Sequence, residues 1–125
     1  LILGRYKGEQ FGWWQNKQLD ILKAKWGGEV AAAKLTKYLH PEIVTIYTNE
    51  EYLPQLLLDC KLKKDPNGEV EILEQFEKHE VNLEYGDLVH PILIYADLLA
   101  TGNQRNTETA KMIYDEHIVR LIRED

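Results

Sequence analysis

The spacing of apolar residues changes several times along the chain, and each change predicts an element. Residues 1–7, LILGRYK, read as a strand broken by Gly8. Phe11, Trp13 and Trp14 then form an aromatic cluster. Leu19, Ile21, Leu22 and Trp26 recur at helical spacing, which predicts a helix over 16–25 that Gly27-Gly28 ends or turns sharply. The stretch 29–39, EVAAAKLTKYL, predicts a strong helix. Its three alanines favour helix, and Glu29 places negative charge in the first turn, where the helix dipole welcomes it. His40-Pro41 stops it. Residues 43–48, IVTIYT, are β-branched and aromatic, with apolar side chains at both parities, as a central strand requires.

Asn49-Glu50-Glu51 begins the next helix, with Pro54 near its first turn, where proline is tolerated; the helix runs to about residue 62. Asp65-Pro66-Asn67-Gly68 is a turn. Over 69–76, EVEILEQF, charge alternates with Val70, Ile72 and Phe76, which predicts a half-exposed strand. Leu88-Val89 suggests a short strand. Pro91 opens a helix to Ala100, expected to be a buried helix of the core. Asn106 is expected to cap the last helix, whose inner face carries Ala110, Ile113, Tyr114, His117, Ile118 and Leu121. The order β-α-α-β-α-β-(β)-α-α predicts an α/β fold, or a mixed α+β one. It would be a single domain with a small mixed sheet covered by about five helices.

Composition narrows the function classes. The 125 residues suffice for one domain with a real core. Lys and Arg number 15 against 21 Asp and Glu, a net charge of −6, so a polyanion gains little from the overall field. No apolar run approaches the roughly 20 residues that span a bilayer, and the lone Cys60 forms no internal disulfide, which fits a reducing cytoplasm. The chain opens inside a strand, on Leu1 rather than Met, so it is expected to be the later part of a longer protein.

Candidate chemistry is sparse. The four histidines, His40, His79, His90 and His117, have no second ligand at helical spacing, so no metal site is expected. The chain holds no serine, which removes serine-hydrolase schemes. Cys60, within LLLDCKL, reads as a small buried hydrophobe. Asp59-Cys60-Lys61 has the D-x-K form, and with Glu29 it offers the acids and lysine of a divalent-metal nuclease. The plainer reading is a solvated helix end. Trp13 and Trp14, near Lys7 and Lys17, could stack on bases. The expectation is instead that one enters the core and the other an edge or interface. In the loop 101–106, TGNQRN, Asn103 and Arg105 present hydrogen-bonding groups, either in a plain turn or in a contact.

Several long stretches carry a resemblance: Leu3-Gly4-Arg5-Tyr6, WGGEVAAAKLTKYL at 26–39 and PEIVTIY at 41–47. They resemble the AbiEi-type antitoxin and transcriptional regulator family of type IV toxin–antitoxin systems. DPNGEVEIL at 65–73 and HPILIYADLLATGNQRNTETAKMIYD at 90–115 are similar to that family's C-terminal region. The resemblance covers most of the chain. It implies a two-part protein, with an N-terminal winged-helix domain that represses its own operon and an α/β C-terminal domain. The latter is associated with antitoxin action against a nucleotidyltransferase-like toxin of the AbiEii type, without a stable complex. It supplies no catalytic residue.

Residues 1–125 are therefore expected to be a C-terminal antitoxin-like domain whose winged helix is missing. The expected protein is non-enzymatic, without cofactor or metal, cytoplasmic and bacterial, and serves abortive infection in phage defence. Its expected partners are operator DNA, through the missing domain, and the toxin, with a homodimer as a further option and no membrane. The alternatives are a divalent-metal nuclease using Glu29, Asp59 and Lys61, or a dimerisation module of a DNA-binding regulator. The expected functional surface comprises Trp26, Gly27, Gly28, Glu29, Asp97, Asn103 and Arg105.

Overall fold

A computed structural model describes residues 1–75 and 84–123. Five strands form one mixed sheet: β1 (Ile2–Lys7), β2 (Ala24–Gly27), β3 (Val44–Thr48), β4 (Lys63–Lys64) and β5 (Val70–Glu74), in the order β2-β3-β5-β1-β4. β3 and β5 run parallel, and the other pairings are antiparallel. The helices are α1 (Gly28–Thr36), α2 (Leu53–Asp59), α3 (Pro91–Ala100), α4 (Gln104–Ile113) and α5 (Val119–Arg123). A π-helical turn, Tyr114–Ile118, joins α4 to α5. This is the mixed α/β architecture that the alternating periods predict.

Strand register explains the two faces of the sheet. Trp26 lies opposite Ile46, and Ile46 opposite Ile72, so their side chains form one apolar row. All three are fully buried. The neighbouring row has the other parity and runs Gly27, Thr45, Glu71, Arg5. The centre of the sheet thus has an apolar side and, one residue along each strand, a polar stripe. α1, α3 and α4 pack on one another, with α1 against β3 and α3 against β2.

Several expected elements differ. No helix covers 16–25. Two single 3-10 turns, Trp13–Asn16 and Asp20–Leu22, lead into β2. The apolar spacing there has another cause: Leu19 and Trp26 enter the core from separate elements, while Ile21 is 85% exposed. Pairing with β3 supplies hydrogen bonds to Ala24–Gly27 that outweigh a weak helical period. β2 is itself flanked, since Trp26 N donates to Asp87 O at 2.8 Å and Val89 N donates to Trp26 O at 2.9 Å. The short strand expected at Leu88-Val89 is thus an isolated bridge between Leu88 and Trp26.

α1 ends earlier than His40-Pro41, on Lys37 in the left-handed region. α2 ends at Asp59, with Lys61 also left-handed. β5 shows the expected alternation, with Val70 and Ile72 fully buried and Glu71, Leu73 and Glu74 half-buried. It lies inside the sheet, between β3 and β1. Phe76 and His79 lie outside the described residues. Asn103, not Asn106, caps α4: its side-chain oxygen accepts Asn106 N at 3.2 Å. On the last helical segment Ala110, Ile113 and Ile118 are buried, while Tyr114 is 39% exposed. α3 is only half a core helix. Ile94 and Leu98 are fully buried, but Ile92, Leu93 and Leu99 face solvent.

Candidate functional cleft

The polar row of the sheet forms the floor of a cleft of about 320 Å³, bounded by the start of α1 and the end of α3. Glu71 is held from both sides. Thr45 Oγ1 donates to it at 2.9 Å, and Arg5 pairs with it at 3.4 Å. Arg5 also donates to Gly68 O, tying β1 to the turn before β5.

Asp97 enters from α3. Tyr47 OH donates to both of its carboxylate oxygens, at 2.9 and 3.1 Å, and Gly28 N donates at 3.3 Å. Gly28 N is an otherwise unpaired donor of the first turn of α1, so the Asp97 carboxylate takes the place an anion takes at a helix N-terminus. The glycine pair makes this approach possible. A Cβ on Gly27 would stand 2.4 Å from the Tyr47 ring, and Gly28 has φ +51° with Thr45 Oγ1 2.7 Å from where its Cβ would be. Burial pushes the Asp97 carboxyl above its ordinary range, against the opposing pull of the Tyr47 and Gly28 hydrogen bonds. Burial, and then the Asp97 charge, push the Tyr47 phenol up as well.

Glu29 is the third carboxylate and is only 8% exposed. One oxygen accepts Glu42 N at 2.9 Å and Arg105 at 3.4 Å; the other accepts Asn106 Nδ2 at 3.2 Å. Asn106 also donates to Thr101 Oγ1 at 3.1 Å, and Arg105 to His40 O at 2.7 Å. Charge and hydrogen bonds thus lock the start of α4 onto the start of α1, and Asn103, as the cap of α4, holds Asn106 in place.

Most of the expected surface residues are therefore joined in one network, but not all as a surface. Trp26 is fully buried, with its ring 5.8 Å from Trp13 and its indole N–H donating to Asp87 at 3.1 Å. Gly27, Gly28 and Glu29 are buried too. Gly28, Glu29 and Asp97 line the cleft, and Arg105 and Asn103 act on it from α4 and its cap. The nuclease constellation does not assemble. Asp59 pairs with Lys17 at 2.6 Å and Lys61 with Glu9 at 3.9 Å, whereas Glu29 is bound to α4. Among the described residues no group of three His, Cys, Asp or Glu is placed to hold a metal.

Arg5, Thr45, Tyr47, Glu71 and Asn106 were not expected here. Parity was the available signal: Thr45 and Tyr47 share one face of β3, and Glu71 takes the same side of β5. Trp13 and Trp14 are both half-buried. Trp13 packs on Trp26, and the Lys34 ammonium lies 5.9 Å from the Trp14 ring and 5.1 Å from that of Trp26. Cys60 is buried, and burial pushes its thiol up to about 11.

The family model described as transcriptional regulator, AbiEi antitoxin, type IV toxin–antitoxin system matches residues 1–119. The chain belongs to this family. No curated protein and no solved structure matches it. The resemblance carried by WGGEVAAAKLTKYL and DPNGEVEIL is thereby established, and within this AbiEi family member both stretches build the cleft. No helix among the described residues is long and apolar enough to cross a membrane.

Proposed function

We propose that residues 1–125 are the C-terminal, non-enzymatic domain of an AbiEi antitoxin and transcriptional regulator, acting in the cytoplasm in abortive infection. A preceding winged-helix domain binds operator DNA. This domain antagonises a nucleotidyltransferase-like toxin without forming a stable complex with it. The family match carries the reading. The cleft supports it, because each of its three carboxylates is already held by neighbours of this chain: Glu29 by Arg105 and Asn106, Glu71 by Arg5 and Thr45, Asp97 by Tyr47 and Gly28. Tied in this way, the carboxylates cross-link the strands and helices that meet at the cleft.

Growth rescue tests the reading. The neighbouring toxin-like gene is expressed with this chain alone, with the full-length protein, or with neither. Rescue by this chain alone places antitoxin action in these residues. Rescue by neither protein refutes the antitoxin reading. Rescue by the full-length protein alone assigns this domain a supporting role.

A second reading, a homodimer that holds two DNA-binding domains in register, has one observation in its favour. Ile92, Leu93 and Leu99 give α3 an exposed, uncharged stripe. Such a stripe can meet its own copy across a two-fold axis without opposing like charges. Leu99→Glu should then convert a dimer to a monomer in light scattering. A wild-type monomer at high concentration ends this reading.

A further inference from the structure

On another part of the molecule three hollows of about 600, 600 and 330 Å³ adjoin. The first two share Lys7, Gly8 and Glu9 as a wall, and the last two share Phe11, Trp14 and His40, so they lie side by side along one grooved face. Phe11 stands in it 100% exposed, on the loop between β1 and the first 3-10 turn. A fully solvated phenyl ring contributes nothing to the core, and it offers a face for stacking.

The charges of the groove are unequally used. Its carboxylates are engaged: Glu69 accepts Gly8 N at 2.6 Å, Glu42 pairs with Arg105 at 3.8 Å, and Glu9 with Lys61 at 3.9 Å. Lys7, Lys37 and Lys63 also line it, and none has a carboxylate partner among the described residues. Lys7 and Lys63 are moreover direct cross-strand partners on β1 and β4. Like charges so placed repel, and a shared anion removes the repulsion. The net charge of −6 does not cancel this local field, because charges further than about 8 Å away are largely screened at physiological salt.

We propose that this groove binds single-stranded nucleic acid, with Lys7, Lys63 and Lys37 on backbone phosphates and Phe11 stacked on a base. Lysines on either side of an exposed aromatic ring match a strand that offers a phosphate and a π-face at every step. An acidic peptide would satisfy the lysines but gives Phe11 no regular stacking partner. A duplex keeps its bases stacked out of reach of the ring.

The test titrates the 125-residue chain with oligothymidylate and oligouridylate of about 12 nucleotides, following quenching of its tryptophan fluorescence, with a polyglutamate peptide as the acidic comparison. Binding of either oligonucleotide should weaken roughly 20-fold between about 50 and 200 mM salt if three phosphates are contacted. Phe11→Ala should weaken it about 5- to 150-fold. The double variant Lys7→Gln/Lys63→Gln should weaken it and flatten the salt dependence, and Lys111→Gln on α4 should leave it unchanged. Preference for one oligonucleotide tells DNA from RNA. The proposal fails if neither oligonucleotide binds at low salt, if Phe11→Ala binds as wild type, or if polyglutamate binds more tightly than both. Phe11 is fully exposed, so its variant folds, and circular dichroism checks that.

Discussion

The cleft ties down each of its carboxylates, whereas the groove pairs its acids and leaves three of its lysines and an aromatic ring open to solvent. In the cleft, Glu29, Glu71 and Asp97 each receive two or more hydrogen bonds from other elements. In the groove, Lys7, Lys37 and Lys63 have no acidic partner among the described residues, and Phe11 is fully exposed. A polar group inside a fold must be paired, because leaving it unpaired costs about 1–3 kcal/mol. A polar group in solvent carries no such penalty. Paired groups therefore measure what the fold needs, and unpaired groups at the surface mark where selection for something else is free to act.

Substitutions can break this contrast, and the largest effect belongs to Glu29. Glu29→Ala leaves Arg105 and Asn106 without their shared acceptor at the α1–α4 junction. It should cost about 3 kcal/mol in urea denaturation, the lower end for breaking a buried pair because Arg105 is partly solvated. Asp97→Ala strands Tyr47 OH and Gly28 N, and about 2 kcal/mol should be lost in the same measurement.

Asp97→Asn sharpens the point by pH. Burial raises the folded pKa of Asp97 above its unfolded value, so wild-type stability is favoured below the unfolded value of about 3.9 and declines as pH rises through the folded value. The asparagine variant should lack that decline. An identical pH profile in both proteins would show that Asp97 does not titrate in this window.

Gly28→Ala comes next. Its φ of +51° and the 2.7 Å approach to Thr45 should cost about 1–2 kcal/mol by thermal denaturation. The smallest effects belong to the groove. Phe11→Ala and Lys63→Gln should change stability by less than about 0.5 kcal/mol. A large loss from either would mean that the groove serves the fold after all. Cys60, buried with its thiol pushed up to about 11, should alkylate far more slowly in the native protein than in urea at neutral pH.

Much of this was legible in the chain. The run IVTIYT is apolar at both parities, and β3 is buried on both faces. The first eight residues of EVAAAKLTKYL lie in α1, and Pro91 opened α3 where a proline fits. These follow from local physics, side-chain period and φ restriction, which need no knowledge of distant partners. The long matched stretches placed the chain in its family for a related reason, since a run of residues under joint constraint is rarely reproduced by chance.

What only the tertiary structure decided is which residues meet. Trp26 was expected at a surface and lies in the core, because β2 pairs with β3 where a helical period was read. Asp97 and Gly28 are 69 positions apart and hydrogen-bonded. Glu29 and Asn106 are 77 apart and likewise joined. Sequence carries the parity that puts Thr45, Tyr47 and Glu71 on one face of a sheet. It does not carry the strand order that sets β5 beside β3, nor the packing that brings α3 and α4 over them. Local preferences are fixed by neighbours a few bonds away, whereas pairing across the sheet depends on the free energy of the whole fold.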